Sequence, residues 1–379
     1  MHTTLIEPFV LSAAAAITIA VAYTSSLMAA QSRHFLDHPN ERSSHTQATP
    51  RIGGLAIMGG WVAGMFILGA FASNPEHART AAIVVALAIS AFCLGLMDDW
   101  FGLAAFWKFA GQIAIASVFV GLFGPVQAAP APFFGEAALT PLWGAALSIF
   151  WIVAFMNAFN FMDGANGLAA GAAAVGLAWL SVIAAASGAP LLFVMAFLLA
   201  LAATGFLPHN LNRGKIFMGD NGSQALGFLI AAFGVLGVNW TDGRLSALIA
   251  PLIFLPLIFD VAWTLVSRLI RRRNILKAHN EHLYQLMIRT GASHSAVAII
   301  YMGLVAICAS AALLMLTLPY SLQWLAPAAM AAIFGVGATT LYRRAYRKGL
   351  FRDTSENHKT ENGAADVRPQ ADAPLRSAG

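Results

Sequence analysis

Long apolar runs separated by short polar clusters dominate this chain. A helix that crosses the hydrocarbon needs about 20 apolar residues. Runs of that order occur at about 5–29, 52–72, 80–97, 108–124, 142–159, 165–187, 190–207, 223–239, 246–268, 296–317 and 322–342. None shows the strict alternation of a barrel strand, and open strands cannot span lipid. The pattern therefore predicts an all-α polytopic membrane bundle of eleven spans. No Lys or Arg precedes the first run, and it is longer than the apolar stretch of a typical signal segment. It reads as a spanning helix.

Composition agrees. Of 379 residues, 59% are hydrophobic and 10% charged, whereas an average soluble domain carries roughly 25% charge. This excludes a disordered chain, a coiled coil and a water-soluble globule, whose exterior must face water. Placing residue 1 outside puts twenty of the 22 Lys and Arg on one side of the membrane and only Arg79 and Arg244 on the other. By the positive-inside rule, the N-terminus is periplasmic and the C-terminus cytoplasmic. The expected organisation is a membrane-embedded domain over 1–345 and a polar, disordered cytoplasmic tail over 346–379. Cys93 and Cys308 sit in apolar runs and read as buried thiols, not as a disulfide or a metal pair.

The unusual residues collect in five inner loops, 31–51, 98–108, 157–168, 208–223 and 268–295. Asp98 and Asp99 are adjacent carboxylates at the end of the third span. They repel each other, and the negative end of a helix dipole adds to the cost, so they call for a cation. With Asp163 and Asp220, four carboxylates face one compartment. A hard divalent cation such as Mg²⁺ would satisfy them and would bring phosphate oxygens with it. Gly219 and Gly222 flank Asp220 and allow close approach of backbone to phosphate. Lys108, Arg42 and Arg51 supply the cations that a diphosphate needs. No GxxxxGK[ST] or GxGxxG nucleotide signature is present. The residues alone point to a cytoplasm-facing, Mg²⁺-dependent site for phosphate chemistry at the lipid surface.

Blander readings stand beside several of these residues. Arg271, Arg272 and Arg273 read as topology anchors on anionic lipid. Asn157 and Asn160 could join helices within the bundle. His34, His38, His77 and His209 show no partner in the sequence and read as surface residues. Asp260 is an ionisable group at membrane depth, open to a functional or a structural pairing. A transporter or flippase would put its polar residues near the midplane in paired broken helices. Here they gather at one face, which disfavours transport.

At these loops the sequence resembles the polyprenyl-phosphate N-acetylhexosamine-1-phosphate transferases, the family that includes the phospho-MurNAc-pentapeptide translocase. The likeness covers about residues 37–295. PNERSSH with PRIGG, containing Arg42, His45 and Arg51, resembles the first cytoplasmic loop of the O-antigen-initiating members. MDDW resembles the paired-Asp motif, with Lys108 at the family's lysine. NAFNFMDGANGL is similar to the Asn-x-x-Asn-x-x-Asp-Gly segment, and FMGDNGS to Phe-Met-Gly-Asp-x-Gly-Ser, with Asn210 at the spacing of a family asparagine. AHNEHLYQ resembles the His-x-x-His form of the histidine motif. Asn166 stands where the family usually has a second Asp, and the three consecutive His of the peptidoglycan translocase are missing.

The resemblance implies a bacterial inner-membrane enzyme that transfers N-acetylhexosamine-1-phosphate from a UDP-sugar to undecaprenyl phosphate, releasing UMP and starting O-antigen, lipopolysaccharide or related envelope glycan synthesis. The histidine motif favours a simple UDP-N-acetylhexosamine over the muramyl-pentapeptide donor. By the resemblance, Asp220 binds Mg²⁺, or Mn²⁺ in its place, and Asp98 acts as base, nucleophile or positioning group with Asp99 beside it. Arg42, His45, Arg51, Lys108, Asn157, Asn160, Asp163 and Asn210 would bind substrate. His279 and His282 lie three apart, on one face if that stretch is helical, and would meet the diphosphate or the sugar. Membrane lipid is the expected environment and nucleic acid is not an expected partner. A homodimer is left open.

Overall fold

The computed structural model describes residues 8–32, 36–37, 48–72, 74–131, 135–211, 214–274 and 279–351. Among them, ten helices are long and apolar enough to cross a membrane. These are α1 (Pro8–Ala30), α2 (Gly53–Ala70), α3 (Pro75–Phe101), α4 (Ala105–Phe123), α5 (Pro141–Phe161), α6 (Leu168–Ala186), α7 (Pro190–Leu211) and α8 (Gly219–Trp240), then α12 (His294–Met315) and α13 (Leu325–Arg347) with the turn before it.

The ninth run, 246–268, is not one helix as the hydropathy predicts. It divides at Phe254 into α9 (Ile249–Ile253) and α10 (Leu255–Ile270). Pro256 gives the reason, since it has no N–H to offer and its ring clashes with the carbonyl four residues back. A short helix, α11 (Leu283–Arg289), follows α10. Two small antiparallel pairs complete the fold, β1 (Leu36–Asp37) with β2 (Thr49–Pro50), and β3 (Ala128–Ala131) with β4 (Gly135–Ala138).

Local chemistry marks the helix starts. Asn74 caps α3 ahead of Pro75, and its side chain accepts from the Glu76 N–H at 2.9 Å. Thr140 caps α5 ahead of Pro141, and Ser293 caps α12. Helix α3 stops at Gly102, whose φ of 60° suits a residue without a Cβ.

Helix α8 runs through the centre, buried along almost its whole length and packed on α2, α3 and α5. Glycine permits this closeness. A Cβ on Gly95 of α3 would lie 2.2 Å from the Asp220 carbonyl oxygen, so the end of α3 can press against the start of α8. The outer faces carry exposed Phe101, Phe106, Trp107, Leu142, Phe150, Ile270 and Val336, as a lipid-facing surface requires. Cys308 is buried, but Cys93 is exposed on α3, because one side of that helix faces outward. His209 is not a surface residue. It is buried in the last turn of α7, with its ring centroid 4.8 Å from that of Tyr23. Residues 352–379, which contain most of the expected tail, and His34 and His38 lie outside the described residues.

Candidate active site

Five chain segments meet where α3 ends and α8 begins. Asp98 and Asp99 come from the last turn of α3, and Lys108 from the first turn of α4. Asp220 is in the first turn of α8 and Asn160 in the last turn of α5. Arg51 arrives on an extended segment tied to the chain before α8. The Phe217 N–H donates to the Pro50 carbonyl at 2.8 Å, and the Gly53 N–H to the Phe217 carbonyl at 2.8 Å.

Asp99 accepts from the backbone N–H of Asp220 at 3.1 Å and of Asn221 at 2.9 Å, and from Asn221 Nδ2 at 2.6 Å. It thus caps the N-terminus of α8 from another helix, where the dipole favours negative charge. Arg51 bridges the two helices, its Nε 3.2 Å from Asp99 Oδ1 and its Nη2 2.8 Å from Asp220 Oδ1. Asn160 Nδ2 donates to Asp220 Oδ1 at 3.1 Å and to Ser223 Oγ at 2.8 Å. Asp98 accepts from the Leu103 N–H at 2.9 Å through Oδ1 and pairs with Lys108 through Oδ2. Lys108 Nζ also lies 3.7 Å from Asp220 Oδ2.

The carboxylates form the floor of this centre and the cations its rim. The side chains of Asp98, Asp99 and Asp220 are 7%, 6% and 15% exposed, those of Arg51 and Lys108 40% and 32%. Asp163, on the turn between α5 and α6, lies within electrostatic range of Arg51, Asp220 and Asp99. Burial raises its carboxyl well above the ordinary carboxylate range. Arg51 opposes this, and Asp220 and Asp99 add to it.

Other expected site residues stand apart. Asn157 donates to Gln112 Oε1 at 2.7 Å, and Gln112 Nε2 donates to Gln224 Oε1 at 2.8 Å. This amide ladder joins α4, α5 and α8 inside the bundle. Gln112 and Gln224 were not anticipated, although an amide inside an apolar run is the signal for such a link. Asn210 is buried and fastens two loops, accepting from the Gly167 N–H at 2.7 Å and donating to the Ile216 carbonyl at 2.9 Å. Arg42 and His45 lie outside the described residues.

His279 and His282 do not share a helical face. They precede α11, which His282 itself caps, and their ring centroids are 4.9 Å apart. The reason is Asp260 of α10, fully buried, which holds the start of α11 in place. It accepts from the Leu283 N–H at 2.8 Å, the Tyr284 N–H at 3.0 Å and the Tyr301 hydroxyl at 2.6 Å, and lies 3.2 Å from His282 Nδ1. Beside it, Glu281 is clasped by three guanidiniums, with Arg268 at 2.9 Å, Arg271 at 2.6 Å and Arg273 at 2.8 Å. Burial alone would raise the Glu281 carboxyl, but the guanidiniums outweigh it and hold it below the ordinary value. Neither the partners of Asp260 nor the role of Glu281 was foreseen. The Tyr284 hydroxyl donates to the Phe161 carbonyl at 3.2 Å, linking this region to the end of α5 next to the carboxylate centre.

At the centre, four carboxylates face two cations among the described residues. Asp98 and Asp220 both face Lys108, whose ammonium pairs with Asp98 Oδ2 and lies 3.7 Å from Asp220 Oδ2, so two carboxylates share one cation. No three His, Cys, Asp or Glu side chains form a ready-made metal cage among the described residues. Mg²⁺ does not need one, since it binds through one or two carboxylates plus waters and substrate phosphates. The donor set therefore fits a divalent cation carried with a diphosphate, with Asp220 and Asp98 as its protein ligands. Asp99 is already committed to the α8 N-terminus.

A family model for glycosyl transferase family 4 matches residues 80–238, the stretch that carries Asp98, Asp99, Lys108 and Asp220. A probable undecaprenyl-phosphate N-acetylglucosaminyl 1-phosphate transferase of Bacillus subtilis is 33% identical over 269 residues, 70% of this chain and 74% of that protein. A decaprenyl-phosphate N-acetylglucosaminephosphotransferase of Mycobacterium tuberculosis is 34% identical over 304 residues, 73% of this chain and 75% of that protein. A phospho-N-acetylmuramoyl-pentapeptide-transferase of Staphylococcus epidermidis is 28% identical over 248 residues, 62% of this chain and 75% of that protein.

Proposed function

The chain belongs to the polyprenyl-phosphate N-acetylhexosamine-1-phosphate transferases, and from that premise we propose that it transfers an N-acetylhexosamine-1-phosphate from a UDP-sugar to undecaprenyl phosphate. The products are undecaprenyl-diphospho-N-acetylhexosamine and UMP. The step would begin an O-antigen or related envelope glycan at the cytoplasmic face of a bacterial inner membrane. One observation carries the reading: Asp98, Asp99 and Asp220 gathered around Lys108 and Arg51 at the ends of the spanning helices. The twenty-to-two distribution of Lys and Arg supports the orientation. The relatives named for N-acetylglucosamine are more similar and match more of this chain than the one named for the muramyl-pentapeptide, so UDP-N-acetylglucosamine is the first donor to test.

In the proposed reaction an oxygen of the lipid phosphate attacks the β-phosphorus of the donor, and the bond from that phosphorus to the bridging oxygen breaks. UMP leaves with both electrons of that bond. When bound, Mg²⁺ would neutralise the diphosphate and the departing phosphate. Arg51 and Lys108 meet the same charge from the rim, and Asn160 orients Asp220. The second pKa of a phosphate monoester is ~6, so the acceptor is already largely a dianion at neutral pH. Asp98 is held by the Leu103 N–H and Lys108, which suits a positioning group better than a free nucleophile. Direct attack therefore predicts no exchange of labelled UMP into the UDP-sugar when the lipid acceptor is omitted. Rapid exchange would instead require a covalent intermediate.

The deciding experiment is mass spectrometry of the lipid made by the purified protein from undecaprenyl phosphate, Mg²⁺ and a mixture of UDP-N-acetylhexosamines, with an EDTA control. The expected product is a polyprenyl diphosphate bearing one N-acetylhexosamine, absent with EDTA. A blank with every donor would overturn the reading. Product formed only in a parallel reaction supplied with UDP-N-acetylmuramoyl-pentapeptide would move the chain to the other branch.

A further inference from the structure

A second charged region lies away from the carboxylate centre, between the ends of α10 and α13. A cavity of about 470 Å³ is lined there by Arg271, Arg273, Arg343 and Arg347 with Tyr342, Tyr346 and Phe351. The guanidinium of Arg271 lies 4.6 Å from the centroid of the Phe351 ring and 5.7 Å from that of Tyr342. Arg273 Nη2 donates to the Phe351 carbonyl at 2.9 Å. These contacts fix two guanidiniums in the wall.

Arg271 and Arg273 share the Glu281 carboxylate with Arg268. Arg271 Nη1 is buried and has no hydrogen-bond partner among the described residues. Arg343 and Arg347 line the outer side, one helical turn apart on α13 and exposed. The three aromatic rings offer an apolar surface beside these cations. Both α10 and α13 end here, so the cavity opens at the boundary between hydrocarbon and water.

We propose that this cavity binds the phosphodiester headgroup of an anionic membrane phospholipid, separately from the donor and acceptor of the transfer reaction. The guanidiniums take the phosphate oxygens by charge-assisted hydrogen bonds. The rings hold the glycerol and the first carbons of the acyl chains at the interface, where aromatic side chains favour such mixed surroundings. Basic pockets between spanning helices recognise anionic headgroups on this principle. Inorganic phosphate offers the same oxygens without an apolar part, so it would leave the ring surface unused.

Native mass spectrometry of the full-length protein, titrated with phosphatidylglycerol or phosphatidylcholine, tests this. Phosphatidylglycerol should be retained over phosphatidylcholine, and added salt should release it. The double variant Arg343→Gln/Arg347→Gln should weaken phosphatidylglycerol binding about fivefold per cation, about thirtyfold in all. Its melting temperature and its turnover in phosphatidylcholine alone should stay as in the unaltered protein. Equal retention of the two lipids, retention indifferent to salt, or a double variant that binds normally would each overturn the proposal. Displacement of phosphatidylglycerol by inorganic phosphate at equal concentration would assign the cavity to a free anion instead.

Discussion

Asp99 and Asp260 use one device in two settings. Each reaches from its own helix to cap the N-terminus of another, Asp99 on α8 and Asp260 on α11. Around Asp260 the partners balance. It is fully buried, and Tyr301, His282 and two backbone N–H groups share its oxygens. Around Asp99 they do not. Asp98 and Asp220 stand beside it with Arg51 and Lys108 against them among the described residues, at a partly exposed rim. A capped helix start alone is architecture. A capped helix start with surplus carboxylate beside it is a place that asks for an external cation.

The sharpest test of this contrast is at the surplus itself. Asp220→Asn and Asp98→Asn should each lower turnover about a thousandfold or more while expression and melting temperature change little. The cap on α8 stays intact in both, because it belongs to Asp99. Near-normal turnover in either variant would break the assignment.

At Asp260 the order should reverse. Asp260→Ala strands the N–H groups of Leu283 and Tyr284 and the hydroxyl of Tyr301. A loss of about 3–5 kcal/mol in stability is expected, as for breaking a buried charged contact, and activity should fall because the protein unfolds. Asp260→Asn, which keeps one acceptor oxygen, should recover part of the stability. Thermal unfolding in detergent reads both. A stable Asp260→Ala variant without turnover would make Asp260 part of the chemistry.

Asp99→Ala is the intermediate case. Losing the α8 cap should cost about 1–2 kcal/mol, and turnover should fall further than that loss explains, because Arg51 loses one of its two carboxylates. Parallel melting and turnover measurements separate the two effects. A turnover loss no larger than the loss of folded protein would reduce Asp99 to a cap.

How much of this was legible beforehand follows from chain separation. Ten of the eleven spans and the polar clusters between them can be read from local hydropathy, and the helix starts at Asn74, Thr140 and Ser293 have local caps. The paired Asp98 and Asp99 announced a need for positive charge because their repulsion is also local. What they do differs, and that was not legible. The N–H groups that Asp99 caps lie 121 and 122 residues away. Separation along the chain also hid Tyr301, 41 residues from Asp260, and Gln224, 112 residues from Gln112. The break before α10 was visible in Pro256, but a hydropathy window averages over one proline. Asn157 and Asn210 look alike in sequence to Asn160, and only packing sends them to a ladder, a loop clasp and the carboxylate centre respectively.

The smallest effect concerns His279, which lies beside the balanced region. Burial lowers its pKa from 6.5 to about 4, with His282 and Arg268 adding and Glu281 and Asp260 opposing. The folded protein therefore binds a proton at His279 less readily than the unfolded chain does. Stability should be fully present above pH 6.5 and should decline as the pH falls from 6.5 toward 4. Glu281 acts in a lower window. Its carboxyl is held below 4.5, so its contribution persists down to about that pH and is lost only beneath it. Asp163, raised by burial, has the opposite sign and favours the folded state as acid is added. Subtracting the melting curves of His279→Gln from those of the unaltered protein cancels Glu281 and Asp163 and leaves the histidine alone. The difference should grow between pH 6.5 and about 4 and be flat above. A flat difference throughout would place His279 in water, outside the packed segment that Asp260 holds against α11.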